Sequence, residues 1–131
     1  MVWEAHEPQE GRKRRHLPPT VVVTPTGLVL NRRAVDLVGT DKRAVILYYN
    51  KETESMGLWF WVERQDAGDK ANKCYAVTHY EPLGIAKITA KSYVREHDLI
   101  QRAKRIGRPS FLLQLDKDWA TGGEFYTAKI E

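Results

Sequence analysis

Four histidines, one cysteine and two runs of basic residues are the side chains whose types and spacing bear on chemistry in this sequence. His6, His16, His79 and His97 stand far apart. None falls in H-E-x-x-H, in H-x-H or in a cysteine–histidine spacing, so no metal-binding pattern is present. His97 is followed by Asp98, but adjacent residues on a helix point about 100° apart and do not converge on one substrate. Cys74 stands alone in an apolar stretch and reads as a small buried side chain, not as a nucleophile. Gly122 and Gly123 precede no helix, and the chain has no G-x-G-x-x-G and no Walker pattern. No catalytic constellation emerges, so the sequence predicts a protein that is not an enzyme and needs no cofactor or metal.

The basic runs offer a different chemistry. "GRKRRH" holds Arg12, Lys13, Arg14 and Arg15 without an acid, and "QRAKRIGR" holds Arg102, Lys104, Arg105 and Arg108. The rest of the chain carries 13 basic and 17 acidic residues, so the formal charge of +4 is concentrated in these two places. Local concentration of cations is what phosphate backbones select.

Those groups need a scaffold. The 131 residues suffice for one domain with a real core. Residues 1–18 have prolines, charges and no periodicity, and read as a flexible basic arm. Residues 19–131 read as one domain. "TVVVT" (20–24) and "LVL" (28–30) are predicted strands around a Pro25–Gly27 turn. Asn31 is a predicted N-cap for "RRAVDLV", which ends at Gly39. "RAVILYY" (43–49) and "LWFWVER" (58–64) form a hairpin across an eight-residue loop. "QDAGDKANK" (65–73) is predicted to be a polar linker.

The order then repeats. "CYAVTHY" (74–80), a Pro82–Gly84 turn and "IAKI" (85–88) lead to Thr89 as a cap for "AKSYVREHDL". "SFLLQL" (110–115) and "EFYTAKI" (124–130) form a second hairpin, again across eight residues. Two ββαββ units, 20–64 and 74–130, therefore align, with Pro25 and Gly27 against Pro82 and Gly84. A hairpin and a short helix cannot each bury a face alone. Two interleaved copies can. The predicted fold is mainly β with short α-helices, a small barrel whose open ends the helices cover.

The first hairpin is apolar on both faces. Leu58, Phe60 and Val62 face one side of their strand and Trp59 and Trp61 the other; Val45, Leu47 and Tyr49 face one side of theirs and Ile46 and Tyr48 the other. One face must be core. The other is covered by the arm or a helix, buried in an oligomer, or left as an interface or stacking platform built on Trp59, Trp61 and Tyr48.

Strand, "G-x-x-x-apolar", a capped helix with basic residues and a hairpin together resemble the swapped-hairpin, or cradle-loop, domain of the AbrB/MazE/SpoVT group. "TGLVLNRRAVDLVGTDKRAVILYYNKETESMGLWFWV" resembles one copy and residues 83–130 a second. The texture is also similar to that of uncharacterised bacterial and phage proteins. The resemblance implies a cytoplasmic DNA-binding module of the regulator or antitoxin kind. This chain departs from the group at the turn: Gly27–Leu28 and Gly84–Ile85 stand where the group has Gly–Arg. Arg32, Arg33, Lys91 and Arg95 are then the local cations available to a nucleic acid, DNA more than RNA. The alternative is a protein-interaction module, a homodimer or a heteromeric partner, using the aromatic hairpin face. No apolar run is long enough to span a membrane, no secretory signal opens the chain, and the lone cysteine suits a reducing cytoplasm.

Overall fold

A computed structural model describes residues 18–116 and 125–130. The run Arg12–Arg15 and the proposed arm lie outside the described residues, as does most of the second hairpin's loop. The strands are β1 (Thr20–Thr24), β2 (Gly27–Leu30), β3 (Ala44–Asn50), β4 (Ser55–Trp61), β5 (Tyr75–Tyr80), β6 (Ile85–Thr89), β7 (Ser110–Leu115) and β8 (Phe125–Lys129). Helix α1 (Arg32–Val38) follows β2, and helices α2 (Lys91–Glu96) and α3 (Leu99–Ile106) follow β6. A 3-10 segment, Arg64–Lys73, joins β4 to β5.

All eight strands close into one antiparallel barrel, in the order β1-β2-β6-β5-β3-β4-β8-β7. Strand β1 shows why alternation suffices: Val21 and Val23 point into the core while the residues between them stay half-exposed. Pro18 and Pro19 set its start. The Pro19 carbonyl accepts from the Leu113 N–H at 2.9 Å, but proline has no N–H to return, so the ladder ends there. The interior is filled by Val21, Leu28, Leu30, Leu58, Phe111 and Tyr126, each no more than 1% exposed. Burying side chains of this size contributes about 1.5–3 kcal/mol each.

The order of strands carries a further fact. Exchanging β1–β4 with β5–β8 maps the closed order onto itself. Every seam between hairpins, β2·β6, β5·β3, β4·β8 and β7·β1, joins the N-terminal half to the C-terminal half. Neither half has a seam between its own two hairpins.

Each of the three helices buries residues in the barrel core, and α1 has the predicted limits. The second helical region differs. Thr89 belongs to β6, and the cap position is Ala90, which makes no side-chain cap bond. One expected helix is two, broken at Asp98 with φ of 54°. The "QRAKRI" run makes up most of α3. Seam β3·β5 is the shortest. Only Ala44 and Val45 of β3 pair with β5, through Ala76 and Tyr75. Beyond them α2 takes over, and the Tyr93 hydroxyl donates to the Tyr48 carbonyl at 2.6 Å.

The two-faced hairpin is present, with one correction. Val45, Leu47, Tyr49, Leu58 and Phe60 belong to the barrel core. Ile46 and Trp59 form a second cluster with Ala67 and Phe125, against which Tyr48, Trp61 and Cys74 pack. Val62 lies past the end of β4 and is exposed. The predicted linker is what covers the outer face. A reciprocal capping box between Glu63 and Asp66 starts it, Arg64 Nε donates to the Ala71 carbonyl at 2.6 Å, and Lys70 lies over the Trp59 ring. Only Ala67 needs to be apolar for this cover, so the polar composition read as a linker. The β3–β4 loop is also shorter than predicted: Asn50 pairs with Ser55, leaving Lys51–Glu54 as a tight turn.

Candidate nucleic-acid interface

The cations sit on three short helices, and each helix places them differently. Asn31 starts α1. Its side-chain oxygen accepts from the Ala34 N–H at 2.8 Å and from the Thr20 N–H at 3.0 Å, and its amide donates to the Pro18 carbonyl at 3.0 Å. One residue thus caps the helix and fixes the point where the chain enters the barrel. Arg32 and Arg33 are exposed in the first turn, with no acid there. Cations at this positive helix end cost a few tenths of a kcal/mol to about 1 kcal/mol. The stem of Arg32 lies against Gly84 in the β5–β6 turn.

Helix α2 opens on Lys91, also exposed, and carries Arg95 in its last turn, where a cation suits the dipole. His97 ends it and stacks on Tyr49 with ring centroids 4.3 Å apart. Tyr93 meets the same imidazole edge-on at 4.9 Å. Helix α3 then splits its cations between two tasks. Arg102 turns inward: Nη1 donates to Glu54 Oε1 at 2.7 Å, Nε donates to the His97 carbonyl at 3.0 Å, and the guanidinium lies over Tyr49. Lys104 and Arg105 face solvent, and Arg108 is exposed just beyond Gly107. Arg105 has a long contact to Asp98, 4.0 Å, between two largely exposed groups.

Register separates these helices. Strands β2 and β6 are antiparallel, with Gly27 opposite Thr89 and Leu30 opposite Ala86. Helix α1 leaves from the Leu30 end and α2 from the Thr89 end. The predicted set of cations is therefore divided. Arg32 and Arg33 lie at one end of the barrel, together with the chain entry at Pro18. Lys91, Arg95, Arg102, Lys104, Arg105 and Arg108 lie at the other.

The predicted aromatic platform is partly enclosed. Trp59 is 5% exposed, and Tyr48 and Trp61 are half-buried. A shallow cleft of about 560 Å³ lies beside them, with Tyr48, Gly57, Gln114, Phe125, Thr127 and Lys129 in its lining. Gly57 forms part of it because a Cβ there would sit 2.5 Å from the Phe125 ring.

Electrostatics of the remaining groups is set by burial. Desolvation lowers the pKa of His97; Glu96 raises it, and Lys51 and Arg102 lower it further. Burial pushes the hydroxyls of Tyr48, Tyr49 and Tyr93 up. It also raises the Cys74 thiol, the opposite of an activated nucleophile, with Arg64 acting weakly against it. Among the described residues no group of three or more His, Cys, Asp or Glu side chains is placed to hold a metal ion. No helix among them is long and apolar enough to cross a membrane.

Sequence reasoning missed Glu54, Tyr49 and His97 as partners of Arg102. Glu54 and Tyr49 carry no shared signal with Arg102, lying 48 and 53 residues before it, while His97 is only five residues away. The chain matches no protein-family model, no curated protein and no solved structure.

Proposed function

We propose that this protein binds nucleic acid, duplex DNA in the first instance, as a regulator or architectural protein. The observation that carries this reading is the charge of residues 90–108, which hold six basic and two acidic side chains. Of the six, Arg102 is engaged by Glu54. Lys91, Arg95, Lys104, Arg105 and Arg108 are exposed and border one end of the closed barrel. Cations of this kind position a protein on phosphates without reading bases. The reading includes an origin for the interleaved strand order: duplication of a ββαββ unit of the swapped-hairpin kind. The lone Cys74 suits a cytoplasmic home. A protein-interaction role through the aromatic face has less surface to use, because the 3-10 segment lies over Trp59.

Fluorescence anisotropy with labelled duplex and single-stranded DNA across a salt series tests the reading. Binding should weaken steeply with salt, and Lys104→Gln/Arg105→Gln/Arg108→Gln should reduce the slope of log K against log salt by about 2–3. Absence of binding at about 50 mM salt refutes it, and salt-independent binding does the same.

A further inference from the structure

The 3-10 segment lies over Trp59, yet none of its residues lines the neighbouring cleft of about 560 Å³. That volume falls within the ~300–1,000 Å³ of sites that take small molecules. We propose that this cleft receives one unpaired base of a nucleic acid whose backbone is held by the cations of α3. This rests on the nucleic-acid reading above, and adds to it a preference for DNA with an unpaired stretch.

Strand register builds the cleft. Tyr48 pairs with Gly57, Gly57 with Thr127, and Thr127 with Gln114. These four form one row across β3, β4, β8 and β7. Alternation puts the row on the outer face of the barrel, with Ile46, Trp59 and Phe125. Glycine at the second place in the row leaves room for the Phe125 ring, which a Cβ there would meet at 2.5 Å. Phe125 and Tyr48 stand 5.7 Å apart between centroids, tilted by 59°. The Tyr93 hydroxyl bonds the Tyr48 carbonyl and fixes that strand in place. One end of the cleft is therefore aromatic and already set.

The rest of the lining is polar. Thr127 and Gln114 complete the row, and Asn50, Ser55 and Lys129 pair in the next row on the same face. A half-buried tyrosine ring beside amides and hydroxyls suits a flat heterocycle with hydrogen-bonding edges. Stacking of this kind tolerates any base, because every base has a π-face.

A second observation is what adjoins the cleft. The chain neighbours of Ser55 and Lys129 are Glu54 and Ile130, which line a smaller hollow of about 140 Å³ with Arg102, Arg105 and Ile106 of α3. The Ile130 N–H donates to the Glu54 carbonyl at 2.9 Å, and the Glu54 carboxylate accepts from Arg102. Tyr49, also in the lining of the cleft, lies under the Arg102 guanidinium. The two hollows thus adjoin, and exposed Arg105 borders the second. A cationic surface beside an aromatic face is how unpaired strands are held. Bases inside a duplex are stacked on one another and present only their edges, so a base must be unpaired to enter.

Anisotropy at low salt, with the full chain, compares a fully paired duplex with the same duplex carrying a single-stranded overhang. The overhang duplex should bind about tenfold more tightly. A fluorescent adenine analogue in the overhang should be quenched on binding, because it stacks, and the same analogue in the paired tract should not. Tyr48→Ala should abolish the preference and the quenching, and Tyr48→Phe should keep both; circular dichroism checks that each folds. Gln114→Leu/Thr127→Val, at outward-facing positions, is a second route that spares the aromatic cluster, and should cut the preference about threefold with duplex affinity unchanged. Lys104→Gln/Arg105→Gln/Arg108→Gln should weaken both DNAs together. Equal affinity for the two DNAs overturns the cleft's role and leaves the nucleic-acid reading standing. Quenching that survives in Tyr48→Ala overturns it as well, as does an unchanged preference in the Gln114/Thr127 variant. A free nucleoside monophosphate that competes as strongly as the overhang duplex overturns the link to α3. A chain that binds neither DNA at about 50 mM salt removes the nucleic-acid reading too.

Discussion

Helix α1 and the α2–α3 pair occupy matching places in the two halves, each following the second strand of its half. They are held by different means. Helix α1 is fixed at its start, by an asparagine that bonds three backbone groups. The α2–α3 pair lacks a side-chain cap at either start. It is fixed in its middle, where His97 and Arg102 grip Tyr49 and Glu54. A helix anchored at its entry leaves little chain to spare. One anchored through its centre can carry a second turn-and-helix outward, and that addition holds the exposed Lys104 and Arg105, with Arg108 just beyond it. The contrast teaches that matching positions in a barrel can bear unlike surfaces while the strands beneath remain equivalent.

Four experiments press on this contrast. The largest effect concerns the two turn glycines that align in sequence. A Cβ on Gly27 would lie 1.9 Å from the Ile88 carbonyl oxygen and 2.8 Å from the Ala90 nitrogen, so Gly27→Ala should cost about 3 kcal/mol or more by forcing β2 from β6. At Gly84 the obstacle is only the flexible stem of Arg32, 3.1 Å away, and a φ of 72°; Gly84→Ala should cost about 1–2 kcal/mol. Urea midpoints of the two variants compare them directly, and equal losses would show that the two turns play the same part.

Next comes Asn31→Ala, which removes the cap and frees the chain entry. Thermal unfolding should show a loss of about 2 kcal/mol. Hydrogen exchange should rise at the Thr20 and Ala34 amides ahead of the α3 amides.

Smaller still is the division of labour within α3. Arg102→Gln breaks the Glu54 and Tyr49 contacts and should cost about 1–1.5 kcal/mol, the mostly exposed ion pair contributing little of it. Lys104→Gln should change stability by less than about 0.5 kcal/mol. DNA affinity should rank the other way for Lys104. If both variants destabilise equally, α3 has no separate outer task.

The smallest effect is in pH. Folding holds the pKa of His97 below its ordinary 6.5, so the folded state prefers neutral imidazole. Its contribution is full above that value and is lost as the pH falls below it. Thermal midpoints of the native protein should therefore drop more between neutral pH and mildly acidic pH than those of His97→Phe. Parallel curves would remove His97 from the anchor.

What the sequence revealed follows from how locally each feature is encoded. Helix α1 was legible to the residue because Asn31, the apolar spacing and Gly39 all fall within nine positions. The two faces of β3 and β4 were legible because strand alternation is absolute. By contrast, the 3-10 segment was misread, since a cover that contributes one buried alanine leaves almost no apolar trace. The break at Asp98 was invisible for another reason. The residues on either side of it, His97 and Arg102, pack on Tyr49 and Glu54, which lie more than 40 residues away and reach α3 only once the barrel has closed. The candidate interface was read as one set of cations, and only the antiparallel register of β2 and β6 divides it.

The cross-half seams also govern when this chain can fold. During synthesis, residues 20–61 emerge as two hairpins with no partner for their outer edges. Every edge they offer is completed by residues between 75 and 130. At about 5–20 residues per second, the second half follows over about 3–13 s. Through that interval the first half has no partner for its outer edges, and the barrel can close only after β8 has left the ribosome. Long-range pairings of this kind place folding toward the slow end for a domain of this size.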